Sequence, residues 1–140
     1  MKRFLILAML AGCTLQNLSP QARMQESVYT LNDAARWNQL EAATRNVSPS
    51  YQVRFRERRS AWGEAINVAE IDLVFMELAK DKESAVSEVA LSWTDASGVH
   101  IHRSNVVQKW ANEHGAFRLV DETIKKGDQG LFAEPATSPP

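Results

Sequence analysis

After Gly63 the residue spacing changes from helical to alternating, and this switch limits the fold more than any other feature. Ile71, Leu73 and Phe75 alternate with Asp72 and Val74 in a strand expected to end near Ala79. Lys80-Asp81-Lys82-Glu83 reads as a charged turn. Val89, Leu91 and Trp93 then alternate with Glu88, Ala90, Ser92 and Thr94. Asp95-Ala96-Ser97-Gly98 is a hairpin loop in which Gly98 suits a positive φ. A third strand runs through Val106, Val107 and Trp110, Asn112-Glu113-His114-Gly115 turns the chain, and Phe117, Leu119 and Val120 form the fourth. A bulge at Gly98 would set Trp93 opposite Ile101, and Thr94 and Ser92 opposite His100 and His102, which separates apolar from polar residues. Consecutive hairpins make an antiparallel meander, and its apolar face needs a cover.

Two N-terminal helices supply that cover. Thr30 or Asn32 caps the first, and Ala34, Trp37, Leu40, Thr44 and Val47 recur at helical spacing as its buried face. Ser48 can cap the second, Pro49 fits its first position, Gly63 can end it, and Tyr51, Phe55 and Trp62 share one stripe. The expectation is an α+β domain over 30–127, with two helices packed on a curved four-stranded sheet. The 140 residues hold one such domain, and 16 Lys+Arg against 17 Asp+Glu argue against a nucleic-acid partner. A single cysteine excludes a disulfide framework and a Cys-rich zinc site.

That cysteine ends the most specific motif of the chain. Met1-Lys2-Arg3 precedes the apolar run Phe4 to Ala11, too short for a spanning helix of about 20 residues. The run closes in Leu10-Ala11-Gly12-Cys13, which resembles the lipobox of bacterial lipoproteins. The resemblance implies that 1–12 is a signal peptide and that Cys13 carries a diacylglyceryl group and a further acyl chain, palmitate for example. At about 0.8 kcal/mol per buried CH₂, several chains hold firmly where one does not. Thr14 stands where, in the sorting rule of such lipoproteins, an aspartate would retain the protein in the inner membrane. The implied location is the outer membrane, facing the periplasm. Polar residues with Pro20 read as a tether over 13–29, reaching ~50 Å at most, and 128–140 as a disordered tail.

The meander carries a second resemblance. Its last hairpin, Val106-Val107-Gln108-Lys109-Trp110-Ala111-Asn112-Glu113-His114-Gly115-Ala116-Phe117-Arg118-Leu119-Val120, is similar to the closing hairpin of the NTF2-like superfamily, with an aromatic, a charged turn with glycine, and a second aromatic before an apolar pair. This implies a cone, shorter here than in fuller members, which have a third helix and extra strands. It also implies a homodimer through the sheet. Enzymes of that superfamily use a carboxylate or histidine base inside the cone, but share no catalytic motif to carry over.

The candidate chemistry is sparse. His100 and His102, two apart on a strand, direct both rings to one side, and His114 or Asp95 would have to complete a metal site. Local spacing places only two ligands, so no metal and no cofactor is expected. Asp72, amid Ile71, Leu73 and Val74, is a general base if it faces the cone and a solvated residue if it faces outward. Arg54 and Arg58, four apart on a helix, can meet a partner's carboxylates or lipid headgroups. Trp62, Trp93 and Trp110 either line a pocket or interface or fill the core. The expected function is a membrane-anchored, non-enzymatic binding or accessory domain for an envelope protein or small ligand. One alternative is a pocket enzyme using Asp72 or a histidine. The other is an envelope assembly or secretion factor with a large exposed apolar patch.

Overall fold

The computed structural model describes residues 18–134. Cys13 with its lipobox, and the last six residues of the expected tail, lie outside them. The order is α1 (Pro20–Arg36), α2 (Leu40–Thr44), α3 (Gln52–Arg58), β1 (Asn67–Leu78), β2 (Ser84–Thr94), β3 (Ile101–Glu113) and β4 (Ala116–Gly127), followed by a 3₁₀ turn at Gln129–Leu131. The strands form one antiparallel sheet in the order β1-β2-β3-β4, the meander expected from the alternation. Three helices pack on one of its faces, so the domain is α+β. Ala85, Val89, Leu91 and Trp93 of β2 and Val106 and Trp110 of β3 point into the core against Met24, Val28, Leu31 and Phe55.

Both ends of the domain depart from expectation. The tether is a helix from Pro20 onward. Ser19 caps it by accepting from the Ala22 amide (3.2 Å), and Pro20 sits at the first position, where it has no amide to waste. Met24, Val28, Leu31 and Ala35 recur at helical spacing and are buried. The described part of the expected tail is likewise packed: Leu131 and Phe132 are core residues, and Trp62 donates to the Leu131 carbonyl (2.9 Å) while stacking on Phe132. The domain therefore runs beyond 30–127 at both ends.

The expected first helix is broken. It stops at Arg36, and Asn38 takes a positive φ of 55° to turn the chain into α2. This swings Trp37 outward, 62% exposed under the Arg36 guanidinium, so Trp37 is not a core residue. The second helix is shorter than expected. Ser48 does not cap it, because its hydroxyl donates to Glu113 (2.6 Å) across on β3. Gly63 lies beyond its end with φ 88°, where any Cβ would collide with the Asn38 amide.

The β2–β3 hairpin shows the clearest register correction. The loop occupies 95–100, so Trp93 pairs with His102, and Thr94 with Ile101. A shift of one residue reverses every side chain. His102 comes to the core face, stacked on Trp93 with ring centroids 4.3 Å apart, and Ile101 goes outward at 71% exposure.

Candidate functional site

The space beneath α1, where a cone would open, is narrow. A cleft of about 100 Å³ remains between Val28, Asn32 and Arg36 of α1 and Ile71, Leu73 and Val89 of the sheet, well under the ~300 Å³ at which small-molecule sites begin. Asn32 closes it. Its amide and that of Gln108 exchange two hydrogen bonds (3.0 and 2.9 Å), Ser87 donates to the same Gln108 oxygen (3.0 Å), and Trp110 donates to Ser87 (2.9 Å). This neutral network pins α1 to the middle of the sheet.

The proposed base Asp72 is not in this space. It pairs with Ala90, faces away from the helices and is exposed. One buried strand carboxylate, Glu88, is also on the outer face, where Asn105 and Lys125 both donate to it at 2.9 Å. The Lys125 hydrogen bond, then that of Asn105, holds its carboxyl below the usual carboxylate range, so it stays ionised.

Of the described tryptophans, only Trp110 borders a cleft, a surface one of about 460 Å³ shared with Glu77, Ala85, Val86 and Val120. Trp62, Trp93 and Trp110 are at most 6% exposed, and each indole N–H is used within the fold, on the Leu131 carbonyl, Ser104 and Ser87 respectively. They are core residues.

The histidine pair is split. His100 stays in the exposed loop, and His114 turns the β3–β4 hairpin with φ 55°. His102 does meet Asp95 (Nε2 to Oδ2, 3.6 Å), and a residue not foreseen, Asp128, lies 2.7 Å from its Nδ1. Among the described residues no three His, Cys, Asp or Glu side chains are grouped to hold a metal. Asp128 also caps the 3₁₀ turn by accepting from the Gly130 amide (2.7 Å). That amide first, and His102 second, keep its carboxyl below the usual range. The cluster fastens the C-terminal segment to the sheet. His102 Nε2 is buried, which leaves it poorly placed to receive a substrate proton.

The arginine run divides in an informative way. Helix α3 turns Arg58 inward, and Arg59 follows it just past the helix end. Arg59 makes a bidentate pair with Glu122 (both bonds 2.6 Å), the two side chains being 3% and 0% exposed, with its guanidinium over Phe55 (3.9 Å). Arg58, 7% exposed in its side chain, donates to the Tyr51 hydroxyl (3.0 Å) and the Glu122 carbonyl (2.6 Å) and lies over Phe132 (4.3 Å). Burial works against the Arg58 charge, but the Tyr51 hydroxyl and the carboxylates of Glu122 and Glu134 outweigh it and raise its pKa. Burial, with Glu122 nearby, also pushes the Tyr51 phenol up.

Arg54 and Arg58 do share a face, as their spacing implies, and both reach Glu134 (3.5 and 3.4 Å). They line a surface cleft of about 340 Å³ with Glu57, Ser60, Ala133 and Glu134. Arg56 leaves the group to pair with Glu41 (3.4 Å). The acidic partners Glu122 and Glu134 were not singled out by sequence reasoning. The local signal for Glu122 is a carboxylate close to the apolar pair Leu119 and Val120, at a strand position that can turn to the core.

No family model and no curated protein matches this chain. Among solved structures it is similar to a protein of unknown function with a cystatin-like fold from Nostoc punctiforme, with TM-score 0.54, 9% identity, and coverage of 80% of this chain and 95% of that one. At that identity the likeness concerns the fold alone, a cone-like α+β class. No described helix is long and apolar enough to cross a membrane.

Proposed function

We propose that this chain is an outer-membrane lipoprotein whose periplasmic, NTF2-like domain acts as a non-enzymatic binding or accessory module for an envelope protein. The Leu10-Ala11-Gly12-Cys13 lipobox supports the anchor. The observation that carries the module reading is the Asn32–Gln108 lock: α1 occupies the ground where a substrate chamber would lie, and recognition moves to the surface. The meander with helices on one face, and the related cone-like α+β class of the solved neighbour, are compatible with the NTF2-like reading. Because α1 begins at Pro20, the step from Cys13 to its cap spans at most ~20 Å, not the ~50 Å of a long tether. The domain then works against the membrane surface.

The test is fractionation of cells expressing the native chain and a Cys13→Ser variant. The native protein should sediment with outer membranes and need detergent for release, while the variant should appear in the soluble fraction. A Cys13→Ser protein that stays with the outer membrane would overturn the anchor.

A further inference from the structure

Charge accounting in the arginine cluster points to a ligand. Two guanidinium groups, Arg58 and Arg59, are buried against one buried carboxylate, Glu122, and Arg59 holds both oxygens of that carboxylate. The Arg58 partners at short range are a phenol and a backbone carbonyl, both neutral. Its carboxylate partner among the described residues is Glu134, at 3.4 Å and 62% exposed in its side chain, and shared with Arg54. A buried cation ordinarily has a close, desolvated counter-charge. Here the counter-charge is held loosely at the mouth of a cleft.

The resident group also shows what kind of molecule fits. Glu134 arrives on an extended segment whose Ala133 amide donates to the Arg58 carbonyl (2.9 Å). Backbone and carboxylate of one peptide are read together at the end of α3.

We propose that the Arg54–Arg58 cleft is a carboxylate-binding site for an acidic segment of a partner protein, occupied at rest by Glu134 of the same chain. The inference deepens the binding-module reading above and is independent of the lipid anchor. Glu134 acts as a competitor in cis: it covers the guanidinium groups when no partner is present and yields to a segment that brings more than one carboxylate. Glu57 on the rim repels any anion, and so favours ligands that can also use the backbone position.

The experiment titrates the full chain in detergent with a fluorescent hexaglutamate peptide. It compares the native protein, Glu134→Gln, and Glu134→Gln combined with Arg54→Gln, with inorganic phosphate as a competitor. Arg54 is exposed, so its loss leaves the fold intact. Removing the competitor should tighten peptide binding about fivefold, the scale of exposed ion pairs in cis. Removing Arg54 as well should cancel that gain or more, and phosphate should displace the peptide only at far higher concentration. Equal affinity in all three proteins, or phosphate binding more tightly than the peptide, would overturn the proposal. Neither result would bear on the Cys13 fractionation, so the two readings fail separately.

Discussion

The amide lock under α1 and the arginine cluster at α3 both bury polar groups, yet they differ in how their accounts close. In the lock, Asn32, Gln108, Ser87 and Trp110 are neutral and bonded to one another. In the cluster, Arg59 and Glu122 close one pair, but Arg58 depends on an exposed carboxylate. A closed neutral network serves position and rigidity. An open charge balance marks a place where the molecule can exchange its own partner for another. The space beneath α1 is thus closed by neutral bonds, while the open charge balance lies at the surface.

The largest effect expected from breaking this contrast is at Glu122. Glu122→Gln leaves the fully buried Arg59 guanidinium without its counter-charge, and breaking such a pair costs about 3–5 kcal/mol. Urea denaturation followed by tryptophan fluorescence measures it. Replacing both partners by apolar residues, Arg59→Met with Glu122→Leu, should recover much of that loss. A single substitution costing under ~1 kcal/mol would mean that the pair is not desolvated as the geometry implies.

Gln108→Leu comes second. It leaves the Asn32 amide oxygen without its donor, though the Asn32 N–H keeps the Val28 carbonyl, and takes the acceptor from Ser87, a loss of about 1–3 kcal/mol. The sharper test is coupling. If the two amides act as one unit, Asn32→Leu added to Gln108→Leu should cost clearly less than the sum of the single changes. Additive losses would show that α1 is held by its apolar face alone.

How far these two regions were legible in the sequence depends on the range of the interactions that make them. The meander could be read because alternation is local: Val89, Leu91 and Trp93 state their face without reference to anything distant. The start of α1 was equally local and was overlooked, since Ser19-Pro20 followed by Met24, Val28 and Leu31 is a cap and an apolar stripe within an otherwise polar stretch. The common face of Arg54 and Arg58 followed from helical spacing. Their partners did not. Glu122 and Glu134 lie more than sixty positions away along the chain, and the contacts exist only because β4 and the segment after it fold back over α3. The hairpin register failed for a related reason. Asp128 stabilises His102 on the core face, and no rule confined to the hairpin could include that partner.

The smallest expected effect concerns Asp128, which separates fastening from binding at the C-terminal segment. Its folded-state pKa is depressed, so its contribution to stability is fully present above the unfolded value of about 4 and is lost as pH falls through the folded value. Asp128→Asn should therefore remove one increment of acid sensitivity from the melting temperature measured between about pH 6 and pH 2. The Gly130 amide is the larger cause of the depression and His102 the smaller, so His102→Gln should remove only part of the same increment. If His102→Gln removed all of it, the segment would be held chiefly by the histidine–aspartate contact, with the 3₁₀ cap contributing little. The Glu134 end of the segment would then be positioned through His102 as well, and His102→Gln would change acidic-peptide affinity from outside the cleft. If the Gly130 amide dominates, His102→Gln should leave that affinity unchanged. The cap would then act as a fixed post from which only the last residues of the segment swing away.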